Sequence, residues 1–138
     1  MTLTSFERII FYGLFGIFVE ICWTSGKDSY RNRTFYLHGK TTLWMFFIYS
    51  LGLRYLFENG YDILQDYMLP WYIRAPMYGI GFISVELVTG YILLKMLHKC
   101  PWEYTSGYHI RGLIRLDYIP FWSALGLIME RVVDYIRN

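Results

Sequence analysis

Three carboxylates sit alone in apolar runs of this chain. Glu20 lies in IIFYGLFGIFVEICWTS, Glu86 in the run 72–97, and Glu130 in YIPFWSALGLIMERVVDYI. The residues three and four positions from Glu20 are Gly16, Ile17, Trp23 and Thr24, and those around Glu86 are Phe82, Ile83, Thr89 and Gly90. A charge at the centre of a membrane helix costs about 2.5–3.5 kcal/mol on insertion scales. An acid kept there is a candidate for proton or cation chemistry, or for gripping a polar substrate. The plainer role is a protonated Glu that hydrogen-bonds a neighbouring helix and holds a bundle together.

Depth along the helices sharpens the expectation. At ~1.5 Å per residue, counted from the side of the termini, Glu20 falls about 17 Å deep and Glu86 about 21 Å. Two carboxylates in one low-dielectric layer cannot both stay charged. They are expected to share a proton, or to be neutralised by Arg33 or Arg115 reaching down from the loops. By the same count Glu130 is roughly 10 Å deep and Arg54 roughly 5 Å, near enough for a long arginine to pair with Glu130.

The segment 98–117, HKCPWEYTSGYHIRGLIRLD, is the richest loop. Trp102 and Tyr104 are amphipathic rings suited to the headgroup layer, as are Tyr108 and the adjoining Tyr118. Glu103 and Asp117 add acids, and Arg111 and Arg115 could bind a lipid phosphate or pair with the intramembrane acids. The bland reading is an interfacial anchor with solvated charges. His38, His98, Cys100 and His109 fall on one expected side, but their spacing matches no compact ligand motif, so no metal is assigned. No phosphate-cradling loop of the Gly-x-x-x-x-Gly-Lys type occurs, and no Ser-His-Asp or Cys-His arrangement has a recognisable spacing. No catalytic residue and no cofactor is therefore assigned.

The elements that must position these groups follow from composition and pattern. Of 138 residues 55% are apolar, 21% aromatic and only 17% charged, and the mean hydropathy is +0.27. A soluble domain this small could not hide so much apolar surface. The acids lie in apolar stripes, whereas soluble helices would carry a wide polar face. A net charge of +2 gives no electrostatic case for nucleic acid, and two cysteines are too few for a disulfide scaffold. The fold class expected is an all-α membrane protein, a single transmembrane domain of four helices at about 9–25, 41–57, 72–97 and 118–136. MTLTSFERIIFYG leads into the first of them, with no small-x-small cleavage site after it, and is expected to stay in place.

Lys27, Arg31, Arg33, Lys40, Lys95, Lys99, Arg111 and Arg115 fall on one side of such a bundle, against Arg8, Arg54, Arg74, Arg131 and Arg137 on the other. The positive-inside rule then places loops 26–40 and 98–117 in the cytoplasm and the termini outside. The chain also hints at duplication. Gly16 to Glu20 and Gly126 to Glu130 share a Gly-x-x-x-Glu pattern, with Gly81 to Glu86 close to it. Arg33 and Trp44 are eleven apart, as are Arg111 and Trp122. Two parallel-repeat helical hairpins would account for this. Gly13, Gly79 and Gly90 join these glycines in permitting close helix approach.

Four segments carry a family resemblance: Gly39-Lys-Thr-Thr-Leu-Trp-Met-Phe-Phe-Ile-Tyr-Ser50, Glu86-Leu-Val-Thr-Gly90, Cys100-Pro-Trp-Glu-Tyr-Thr105 and Gly112-Leu-Ile-Arg-Leu-Asp-Tyr118. In this order they resemble the family called putative ABC-transporter type IV, to which transmembrane protein 229 of animals is similar. The family's Cys-Pro-Trp-Asp-Tyr-Ser appears here with Glu103 and Thr105, which lengthens one carboxylate by a methylene. The resemblance implies a small multi-pass membrane protein, and the wording of 39–49 implies a bacterial inner membrane.

The function expected is a transporter- or permease-like component without its own ATPase, embedded in the lipid bilayer and working as a homo-oligomer or with a membrane partner subunit, not with nucleic acid. The competing expectation is an intramembrane lipid-binding protein or lipid-modifying enzyme that uses the acids and the 98–117 loop.

Overall fold

A computed structural model describes residues 2–138, in two compact units, Leu3–Asn59 and Gly60–Asn138. Each unit is built on one long helix. In the N-terminal unit this is α1 (Ser5–Asn32). Its first turn is closed by a capping box: Glu7 N donates to Thr4 Oγ1 at 3.3 Å, and Thr4 N donates to the Glu7 carboxylate at 2.7 Å. The helix ends where Arg33 turns left-handed (φ 52) and its N–H bonds Ser29 O. In the C-terminal unit the long helix is α4 (Trp71–Leu97), entered from Pro70 and ended by left-handed His98 (φ 56).

The second helical path begins at α2 (Leu43–Leu51), widens into a π-helix over Gly52–Phe57 and resumes as α3 (Glu58–Asp66). α5 (Ile119–Arg137) closes the chain and starts with a proline in its first turn, where a missing N–H costs nothing. Before it, β1 (His109–Ile110) and β2 (Ile114–Arg115) pair antiparallel, His109 opposite Arg115 and Ile110 opposite Ile114. A 3₁₀ turn over Leu116–Tyr118 leads into α5.

Glycines set how closely the helices approach. In the N-terminal unit, α1 packs on α2 with the rings of Phe46 and Tyr49 lying on Gly13 and Gly16, where any Cβ would collide with them. In the C-terminal unit, α4 packs on α5 with Gly79 against Ser123 and Ile119, and Gly126 against Tyr78.

α1 and α4 are long and apolar enough to cross a bilayer, and only 22% and 17% of their apolar windows are buried inside the protein. A soluble core helix would bury most of such a window. Phe6, Leu14 and Phe18 on α1, and Ile80, Val88 and Ile92 on α4, present bare apolar surface outward.

The observed boundaries correct several expected ones. The run 9–25 is the middle of a 28-residue helix, so the first part of the 26–40 loop is helical through Asn32. The run 41–57 does not end at 57, because helical structure continues through Glu58–Asp66, in place of the expected acidic loop. Runs 72–97 and 118–136 agree with α4 and α5 to within a residue at each end. The fold is mostly helical, not wholly so, because the 98–117 segment holds the small hairpin.

Candidate functional site

Each unit places one glutamate in a clamp. In the N-terminal unit Glu58 is 2% exposed. Arg8 Nη1 donates to its Oε2 at 2.7 Å, and Tyr12 OH donates to its Oε1 at 2.7 Å. Arg8 and Tyr12 stand four apart on α1 and so share a face. Arg54, one turn before Glu58, donates to the same Oε2 at 3.2 Å and to Ser5 Oγ through Nε at 3.0 Å and Nη2 at 2.8 Å. The π-helix sets this register: the Glu58 N–H bonds Leu53 O, five residues back.

In the C-terminal unit the clamped acid is Glu130, 5% exposed. Arg74 grips it with two parallel bonds, Nε to Oε1 at 2.7 Å and Nη2 to Oε2 at 2.8 Å. This fork geometry suits a carboxylate. Tyr78 OH adds a bond to Oε1 at 2.7 Å, and Arg74 Nη1 donates to Leu69 O. Nearby, Tyr61 OH donates to Asp134 at 2.7 Å, and Arg137 forks onto Asp62 at 2.7 and 3.0 Å.

A second tier of glutamates lies further along each long helix. Glu20 and Glu86 are both half-buried, and each is the sixteenth residue of its helix. Thr41 Oγ1 donates to Glu20 Oε2 at 3.1 Å, and Tyr104 OH donates to Glu86 Oε1 at 2.6 Å. In both units the hydroxyl comes from the segment that follows the long helix. The segment after α1 is braced there by Thr24, which exchanges bonds with the Lys40 backbone at 3.0 and 2.8 Å.

The groups that the long helices contribute repeat at a fixed interval. Arg8, Tyr12, Gly13 and Glu20 recur as Arg74, Tyr78, Gly79 and Glu86, each sixty-six residues later. The starts of α1 and α4 are separated by the same interval. Like residues make like bonds in both units. A family described as "Putative ABC-transporter type IV" matches residues 8–138. The chain belongs to this family. No solved structure matches it.

In this member of the family the expected site residues fall into distinct groups. Glu20 and Glu86 belong to different units, and each takes a partner within its own. The expected partnership of Arg54 with Glu130 gives way to two others, Arg54 with Glu58 and Arg74 with Glu130. A depth count from the three intramembrane acids overlooks both nearer partners, because Glu58 lies just past the run 41–57 and Arg74 at the polar start of the run 72–97. Arg33 is exposed and serves as the end of α1. Arg115 is tied to the Asp117 carboxylate and to Tyr118 OH at 3.0 Å, and it stacks over the Tyr118 ring at 4.3 Å. Its hydrogen bond holds the Asp117 carboxyl below the usual aspartate range.

Trp102 Nε1 donates to Leu113 O at 2.9 Å, which fixes the hairpin against the preceding strap. Glu103 and Arg111 are exposed. Burial pushes the Cys100 thiol up. Among the described residues no group of three His, Cys, Asp or Glu side chains could hold a metal ion. Sequence reasoning missed Arg8, Tyr12, Glu58, Arg74 and Tyr78. The signal that finds all but Glu58 is the recurrence of Arg-x-x-x-Tyr-Gly seven residues ahead of Glu20 and Glu86, visible in RIIFYG and RAPMYG.

Proposed function

We propose that the chain is a multi-pass component of a membrane transporter, with no ATPase of its own, in which Glu20 and Glu86 take up and release protons. It comprises two parallel-repeat hairpins that together cross the membrane four times, with Glu58 and Glu130 as fixed anchors. Membership of the family described as "Putative ABC-transporter type IV" and two long apolar helices with little of their surface buried support the membrane role.

The observation that carries the proton reading is the chemical difference between the tiers. Arginine carries a fixed positive charge, so Arg74 on Glu130, and Arg8 and Arg54 on Glu58, hold those acids in the charged form. A hydroxyl donates or accepts. Thr41 and Tyr104 can therefore donate to a charged glutamate and accept from a protonated one, so each bond survives proton exchange. Energy and direction then come from an ion gradient, a partner subunit or a second copy of the chain.

The test is proton flux into vesicles that carry the full chain, read with an entrapped pH dye under a valinomycin-set potential. Wild type should conduct protons well above empty vesicles. Glu20→Gln and Glu86→Gln should each lower the flux at least tenfold while leaving the circular dichroism unchanged. Wild-type flux no greater than that of empty vesicles, or Gln variants that conduct like wild type, would overturn the reading.

A further inference from the structure

The segment between α4 and α5 does not run off into water. It folds back along the helix it has just left. The Trp102 ring and the Leu113 side chain lie against Gly90, where an added Cβ would come within 3.1 and 3.3 Å of them. Gly90 is seven residues before the end of α4, or about 10 Å along the axis. Tyr104 reaches Glu86, a further turn back, about 16 Å from that end. With 27 residues α4 is about 40 Å long, which matches a bilayer including both headgroup layers. With α4 crossing such a bilayer, Gly90 lies about 3–5 Å and Glu86 about 9–11 Å below the headgroup layer, so the returning segment reaches from the headgroups into the acyl region.

Its two faces differ. Leu113 and Ile114 are each 3% exposed and press inward. The outer face carries Tyr108, Ile110 and Leu116, with Arg111 at the tip. The tip is held rigidly. Arg111 and Gly112 both take positive φ (52 and 69), and three bonds pin the turn: Leu113 N to Ile110 O at 3.0 Å, Leu116 N to Tyr108 O at 2.9 Å and Tyr104 N to Gly112 O at 2.8 Å. Arg115 is neutralised by Asp117, whereas Arg111 has no hydrogen bond or ion pair among the described residues. Lys99 is also exposed in the same segment, so with Arg111 two cations stand against its remaining exposed acid, Glu103.

We infer that the 108–116 finger is a docking surface for an anionic phospholipid, with Arg111 on the headgroup phosphate and Ile110, Tyr108 and Leu116 against the upper acyl region. Charge complementarity favours an acidic headgroup. An arginine fork suits phosphate oxygens better than the point charge of a lysine. The apolar neighbours favour a lipid over a free anion.

The test is native mass spectrometry of the purified full chain titrated with phosphatidylglycerol or phosphatidylcholine. Wild type should prefer phosphatidylglycerol at least fivefold. Arg111→Gln should bring that preference to within twofold, and Arg111→Lys should retain part of it, both with unchanged circular dichroism. Arg31→Gln removes an exposed arginine from α1 and should leave the preference intact. Equal binding of the two lipids by wild type, or an equal loss with Arg31→Gln, overturns the inference. Displacement of phosphatidylglycerol by inorganic phosphate alone would show a free-anion site and overturn the lipid assignment. None of these readouts depends on proton flux, so the inference stands or falls apart from the function proposed above.

Discussion

Tyr78 OH and Arg74 Nε converge on one oxygen of Glu130, each at 2.7 Å. Tyr78 also lies over Gly126, so the residue that completes the clamp is the one that seals the α4–α5 contact. Electrostatics and packing are joined at a single ring.

That joint makes the clamp costly to break from either side. Arg74→Ala leaves a carboxylate buried without its fork and should destabilise by ~3–5 kcal/mol. Tyr78→Phe removes one bond to a charged group and should cost ~1.5–3 kcal/mol. The double variant should cost less than the sum of the two, because the partners share one carboxylate. Unfolding in mild detergent, followed by tryptophan fluorescence, measures all three. An additive double variant would show that the residues act independently.

Glycine substitutions should sort by what lies above each Cα. Gly126→Ala drives a methyl into Tyr78 and should cost ~1–3 kcal/mol, with loss of the Tyr78 bond. A methyl at Gly81, also on α4, would meet nothing within 4 Å, and Gly81→Ala should be neutral or slightly stabilising through helix propensity. Thermal melting of the two variants side by side checks the contrast, which vanishes if the α4–α5 contact is loose.

Acid should loosen the finger only at low pH. The Asp117 carboxyl is depressed below its ordinary 3.8 by Arg115. A depressed acid contributes stability that is fully present above the unfolded value and is lost as pH falls through the folded one. Exchange of the Leu116 amide, which bonds Tyr108 O beside this pair, should after correction for intrinsic rate stay protected from pH 7 down to about 5 and fail only below about 4. Asp117→Asn should show reduced protection already at pH 7. Loss of wild-type protection between pH 7 and 5 would contradict the pairing.

Cys100 reports on the same fold-back. Buried, and with its thiol pushed up chiefly by that burial, it should alkylate slowly with maleimide at pH 7.5 in a Cys22→Ala background. Trp102→Ala removes both the bond to Leu113 O and the ring on Gly90, and should speed labelling more than tenfold. An unchanged rate would mean that the strap holds without Trp102.

The helical character, the extents of α4 and α5 and the family were legible in the sequence because long apolar runs and ordered motifs need no tertiary knowledge. Glu20, Glu86 and Glu130 stood out because an acid in an apolar run is conspicuous by composition. Their partners did not. Arg8, Arg74 and Glu58 sit where apolar runs give way to polar residues, and charge there looks like ordinary helix-end solvation until a structure brings it within 3 Å of a carboxylate. The continuation of helix beyond Phe57 was hidden because ENGYDILQD has the polarity of a loop, although Tyr61 and Leu64 turn one side of it inward. The return of the 98–117 segment along α4 had no sequence signature, since it depends on the missing side chain at Gly90.

The π-helix at Gly52–Phe57 gives the two halves of the chain different screw phases. One surplus residue advances everything beyond it by about 100° relative to an unbroken α-helix. Before the surplus, Phe46 and Tyr49 meet Gly13 and Gly16; after it, Glu58 meets Arg8 and Tyr12. α5 keeps Ser123 on Gly79 and Glu130 on Arg74 with regular winding throughout. Each unit therefore presents a glutamate to an arginine and a tyrosine four residues apart, but the helix that delivers it is wound differently in the two.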